Sequence, residues 1–222
     1  MSVDAGQAGD TLDTLRGRLA PLIAANAAFD GWSKQAVRNA AREAGIDEDV
    51  ALYAFAGGRM DMVDVWIAGV DHAMIHAFSA EQLAGMKVRE RIAALVRWRL
   101  EQVRGLEEPV RSALAIMAMP QNAARGLRIG WRSADAMWRL AGDTATDLNH
   151  YSKRALLAGI YAATLAVFVD DKSEGKADTL AFLDRRIDGV MRFEKAKAKI
   201  LRPRDERFSM ARFLGRLRYP AI

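Results

Sequence analysis

The chain has 222 residues, no cysteine, and 33 Lys plus Arg against 28 Asp plus Glu, for a formal net charge of +5 and a pI near 9.7. Lack of cysteine excludes disulfides, thiolate catalysis and Cys-ligated zinc or iron–sulfur clusters. The basic balance admits nucleic acid, an anionic membrane or an acidic protein surface and does not choose among them.

Apolar residues recur with a helical period nearly throughout, and no segment alternates as a strand between turn residues. The expected fold class is therefore all-α. Asp4, Asp10 and Asp13 near the start replace the basic and apolar regions of a signal peptide and the acid-poor character of a transit peptide. That composition leads to the expectation of a bacterial protein, cytoplasmic and peripheral to the inner membrane. Leu12, Leu15, Leu19, Leu22 and Ile23 form the stripe of a first helix. Ser33 suits the N-cap of a second, which ends before Gly45, a C-terminal position that favours left-handed backbone. A short third helix runs from Asp47 to Phe55 and stops at Gly57-Gly58. Residues 10–58 thus have the shape of a helix-turn-helix-like unit and resemble the N-terminal unit of TetR-type regulators. The third helix, however, opens with Asp47, Glu48 and Asp49 and offers no base-reading Arg, Lys, Asn or Gln. Specific DNA binding is not expected, and a ligand-responsive TetR-type repressor stands as the alternative function.

Residues 59–197 read as the helical core of the same domain. The helices expected there cover Met62 to Phe78, Val88 to Val103, Val110 to Met119, Ala124 to Leu140, Asp147 to Val169 and Ala177 to Phe193. His72 and His76 stand one turn apart beside Asp71, a metal-capable spacing, yet a third ligand and an HExxH pattern are absent. No metal, no cofactor and no catalysis are expected. The run from Ala155 to Val169 is almost wholly apolar, but fifteen residues fall short of the roughly 20 that cross a bilayer. It reads as a central helix of a water-soluble fold.

Just before that run stand Trp138, Asp147, Asn149, His150, Tyr151 and Arg154. Read alone, the cluster is either a helix N-cap with solvated neighbours or a docking patch of aromatic, cationic and hydrogen-bonding groups. Farther on, residues 203–219 place Met210, Phe213, Leu214 and Leu217 on one stripe and Arg212 and Arg216 on the other face. Such a basic amphipathic helix suits an anionic membrane surface. Packing against its own domain or in a dimer is the competing use of that apolar face.

From Asp135 the chain resembles the ninth Coq protein family, accessory factors of ubiquinone biosynthesis. The matching positions are Ala141, Gly142, Asp143, Asp147, Asn149, Tyr151 and Arg154, then Thr179, Phe182, Leu183 and Arg186 beyond the apolar helix. Phe29, Gly31 and Trp32 add weaker similarity upstream. The resemblance implies a TetR-like helical fold that binds isoprenoid quinone intermediates and presents them to the di-iron demethoxyubiquinone hydroxylase. It also implies that the cluster from Trp138 to Arg154 is the partner-binding surface. His150 departs from the family, which usually has Trp there. The candidates for an apolar lipid-binding space are Trp98, Met117, Trp131, Leu157, Tyr161, Leu165, Phe168 and Phe182. Leu180, Ile187, Val190 and Met191 share a face that suits either intrachain packing or a homodimer.

Overall fold

A computed structural model describes residues 11–143 and 148–200; of residues 80, 148, 149 and 191–200 it describes the backbone only. The tail candidates Met210 to Leu217 and Asp147 lie outside the described residues. The described residues form ten α-helices and contain no strand. They are α1 (Leu12–Asp30), α2 (Lys34–Ala44), α3 (Glu48–Ala54), α4 (Arg59–Ala77) and α5 (Ala80–Ala84), then α6 (Val88–Gln102), α7 (Glu107–Ala118), α8 (Ala123–Leu140), α9 (Leu148–Phe168) and α10 (Ala177–Ile200). The chain divides into two units at Leu183. The first holds α1 to α9 and the start of α10; the described part of the second is the remainder of α10.

Local chemistry sets most boundaries. Ser33 Oγ accepts the Ala36 amide at the start of α2, and Gly45 closes that helix at φ 65°, ψ 32°. Asp47 accepts two amides at the start of α3. Helix α5 was not expected from the sequence, because five residues carry no readable period. Its mark is local: Ser79 and Gln82 bond each other's backbone amides in a capping box.

Trp32 is the pin of the N-terminal half. Its ring lies 5.3 Å from that of Trp66 on α4, and its Nε1 donates to the Pro109 carbonyl of α7 at 3.1 Å. Leu19, Ile23, Val37 and Val63 are buried around the same junction of α1, α2 and α4. Helix α9 packs on α8, α7 and α6, but it is not central as its composition suggested. Ala155, Gly159, Ala162 and Ala166 form an exposed side, while Leu157, Thr164 and Phe168 face inward. Small residues bury little area, so an apolar run rich in Ala and Gly can flank a bundle without large loss. Among the described residues no helix is long and apolar enough to cross a membrane.

Candidate functional site

Helices α8 and α9 form an antiparallel pair whose junction is built by charge. Helix α8 ends in a Schellman-type stop: Asp143 N donates to Trp138 O and Gly142 N to Arg139 O, with Gly142 at φ 87°. Arg91 of α6 reaches over this end and donates to the Ala141 carbonyl at 2.9 Å. Arg154, only 1 % exposed, reaches back from α9. Its Nε donates to Asp135 at 2.6 Å and its Nη1 to Asp143 at 3.0 Å and to the His150 carbonyl at 3.1 Å. Lys153 holds the other Asp143 oxygen at 2.7 Å, and the Trp138 indole donates to the Lys153 carbonyl. Burial opposes the ionised forms of Asp135 and Asp143, but hydrogen bonds from Arg154, with Arg139 and Lys153 respectively, hold both carboxyls below the ordinary value.

The six cluster residues therefore separate by position. Arg154 is an internal clasp, because both acids consume its guanidinium; it does not offer the cationic fork to a partner that the sequence suggested. Trp138 is half-buried in the same clasp. His150 and Tyr151 instead join Trp131 of α8 in a ring cluster, with centroids 5.1 Å apart for His150 and Tyr151 and 5.9 Å for Trp131 and Tyr151. Tyr151 is 61 % exposed. The Asn149 side chain lies outside the described residues.

Of the other lipid candidates, Leu157 and Phe168 are buried, while Trp98, Met117, Tyr161, Leu165 and Phe182 are partly exposed. Trp98 stands edge-on to Phe78, and Phe168 lies under Lys176 Nζ at 4.6 Å. A cleft of about 540 Å³ between α1, α4 and α8 is lined by none of these eight residues.

The acidic turn after α9 has a structural role. Asp171 accepts from Ser173 N and Oγ and from Thr179 N and Oγ1, at 2.5 to 2.8 Å. Burial would raise this carboxyl, yet the four hydrogen bonds hold it far below the ordinary value. A depressed folded-state pKa gives stability that is present above the unfolded value, near 3.9, and is lost as pH falls. Asp171→Asn is expected to cost about 2 kcal/mol at neutral pH. Urea titrations should show that gap narrowing between about pH 5 and about pH 2; a gap constant with pH removes the carboxylate from the explanation.

Sequence reasoning missed a ladder of ion pairs across the bundle. Arg16 pairs with Asp61, Arg125 with Asp61 and Asp64, Arg132 with Asp64 and Asp71, and Arg99 with Asp71. Asp71 also accepts from Ser133 Oγ at 2.8 Å, and Tyr161 covers the Arg99 guanidinium at 5.0 Å. Asp71 thus turns inward, while His72 and His76 face solvent. The readable signal was opposite charge in helical register: Asp64 and Asp71 seven apart on α4, Arg125 and Arg132 seven apart on α8. In the N-terminal unit, Glu48 pairs with Arg38 and Arg42, so the acidic third helix engages cations that a DNA backbone would need.

The described helices thus hold a clasped hairpin of α8 and α9 that bears a partly exposed ring cluster. Residues 123–194, which are α8, α9 and most of α10, match the model of the COQ9 family. The chain is 30 % identical over 168 residues to the ubiquinone biosynthesis protein COQ9, mitochondrial, of Rattus norvegicus, covering 72 % of this chain and 54 % of that protein. The Homo sapiens protein of the same name is 27 % identical over 72 % of this chain and 52 % of its own length. That of Drosophila melanogaster is 27 % identical over 86 % and 59 %. The chain is thus similar to the COQ9 family over residues 123–194 and to COQ9 proteins over most of its own length. It spans about half the length of the curated relatives it matches.

Proposed function

We propose that this chain is a non-catalytic, lipid-binding accessory protein of ubiquinone biosynthesis. It takes up an isoprenoid quinone intermediate and presents it to the di-iron demethoxyubiquinone hydroxylase. The observation that carries this reading is the ring cluster of the exposed Tyr151 and the partly exposed Trp131 and His150, on a clasped hairpin inside the segment that matches the family. Exposed aromatic side chains on a fixed scaffold are the usual anchors of protein interfaces. Arg154 and Trp138 act behind this surface by fixing its backbone. The basic segment 203–219, with Met210, Arg212, Phe213, Leu214, Arg216 and Leu217, is assigned to an anionic membrane. Presentation then works by location and orientation, because moving an apolar tail from bilayer to protein changes its free energy little. The setting is the cytoplasmic side of a bacterial inner membrane, with self-association through Leu180, Ile187, Val190 and Met191 as a compatible assembly.

The test is affinity purification of the full chain from a ubiquinone-making bacterium. The wild type should carry the hydroxylase and an extractable isoprenoid quinone. Replacing both Trp131 and Tyr151 by Ala should reduce co-purified hydroxylase at least tenfold with unchanged helicity, since loss of two anchors costs several times RT. Undiminished hydroxylase on that double variant would overturn the docking surface.

A further inference from the structure

The turn between α7 and α8 and the first half of α8 form a surface to which the proposed function gives no role. From Ser112 to Ala134 the chain contains no Asp or Glu, and α9 contains none either. Within the first stretch the turn exposes Met119 and Pro120. Ala124, Leu127, Arg128 and Trp131 follow at i, i+3, i+4 and i+7, on one side of α8. Leu127 is 77 % exposed, and Trp131 is partly so.

The turn is held in place from below. Asn122 Nδ2 donates to the Ile116 carbonyl at 2.8 Å, and Gly126 lies so close to α7 that an added Cβ would stand 2.9 Å from the Met117 carbonyl oxygen. The exposed apolar groups are therefore presented by a fixed scaffold.

Charge decides what such a surface can meet. Arg125 and Arg132, on the flank of the stripe, turn to Asp61 and Asp64 of α4. Arg128 has no ion pair among the described residues. A second copy seated on this surface about a two-fold axis would set the same unpaired cation against the same acid-free stretch. An anionic lipid surface instead takes exposed apolar side chains into the boundary between headgroups and acyl chains and supplies phosphates to the cation. An indole at the edge of the patch suits that boundary.

We infer that this surface lies on an anionic membrane, with Met119 and Leu127 entering the lipid boundary and Arg128 meeting headgroup phosphates. The inference rests on the membrane setting proposed above and adds to segment 203–219 a second contact, made by the folded bundle. Trp131 is one turn beyond Leu127, so the ring cluster would stand at the membrane surface, where an apolar intermediate resides.

The test uses the full chain and phosphatidylcholine vesicles with or without phosphatidylglycerol. The chain has no cysteine, so Leu127→Cys and, as a control, Tyr53→Cys on α3, where Tyr53 is 75 % exposed, each carry one environment-sensitive dye. On phosphatidylglycerol vesicles the dye at 127 should shift to the blue and be quenched by brominated lipid, while the dye at 53 should do neither. The unlabelled double variant Leu127→Asp with Arg128→Glu should keep its helicity, because both side chains face solvent. It should partition onto these vesicles at least tenfold more weakly than the wild type. Sedimentation with an unchanged dye at 127, an equal response at 53, or full partitioning of the double variant overturns this surface and leaves the membrane setting to another part of the chain. Equal partitioning onto pure phosphatidylcholine overturns the role of Arg128. No sedimentation of the wild type overturns the membrane setting itself, and this inference with it.

Discussion

Asp71→Ala should be the most damaging single substitution in the bundle, lowering unfolding free energy by about 3 to 5 kcal/mol. The Asp71 side chain is 5 % exposed and accepts from Arg99, Arg132 and Ser133. Removing it leaves the Arg99 guanidinium, 1 % exposed, with a charge buried against Tyr161 and too few acceptors. Burying the pair in the first place costs much of what its attraction returns. The double variant Asp71→Leu with Arg99→Met should therefore recover most of the lost stability, because neither charge remains to be compensated. Urea midpoints of the wild type, both single variants and the double variant decide it. Additive losses in the double variant would mean that packing volume, rather than stranded charge, sets the cost.

Arg154→Met should rank second, at about 2 to 4 kcal/mol. It retains the aliphatic stem but leaves Asp135 with Arg139 alone and Asp143 with Lys153 alone, removing one of the hydrogen-bonded cations that hold each carboxyl below the ordinary value. The linkage sign follows from those depressed values. The contribution is present above the unfolded carboxylate pKa, near 3.9, and fades as pH falls below it. Wild type and variant should thus differ most near neutrality and converge in acid. The hairpin that positions Trp131, His150 and Tyr151 loses its clasp in this variant, so hydroxylase recovery should fall even though no exposed group has changed. Normal stability together with lost recovery would return Arg154 to the partner surface.

Helix positions were legible because this chain punctuates them locally. Ser33, Gly45, Asp47 and Gly142 act in the structure through side-chain caps and left-handed backbone, both of which are properties of a few adjacent residues. The family segment was legible for the same reason, since its motif is a helix stop, a clasp and an acidic turn in one stretch of chain. What escaped were facts about pairs distant in sequence. Arg154 and Tyr151 look alike in a string, three residues apart in one motif, yet Asp135 and Asp143 draw one inside and leave the other out. Asp71 drew notice only for standing beside two histidines, in a pattern that fell short of a metal site, while its partners lay 28 and 61 residues away. Composition alone also placed α9 too deep, because an apolar residue type does not state how much area it has to bury.

The two ends of α9 are fastened by different means. At its C-terminal end Lys176, in left-handed backbone at φ 58°, donates to the Phe168 and Asp171 carbonyls and pairs with Glu107 of α7. Arg111 of α7 adds the Val169 carbonyl and Asp170. Cations there meet the negative pole of the helix as well as individual oxygens. At the other end the carbonyls of His150 and Lys153 take one bond each from Arg154 and Trp138, and the rest of the fastening runs through the carboxylates of Asp135 and Asp143. Protonating Asp135 and Asp143 should therefore weaken the end that carries the rings, while the carbonyl bonds from Lys176 and Arg111 persist at the far end even where acid discharges Glu107 and Asp170.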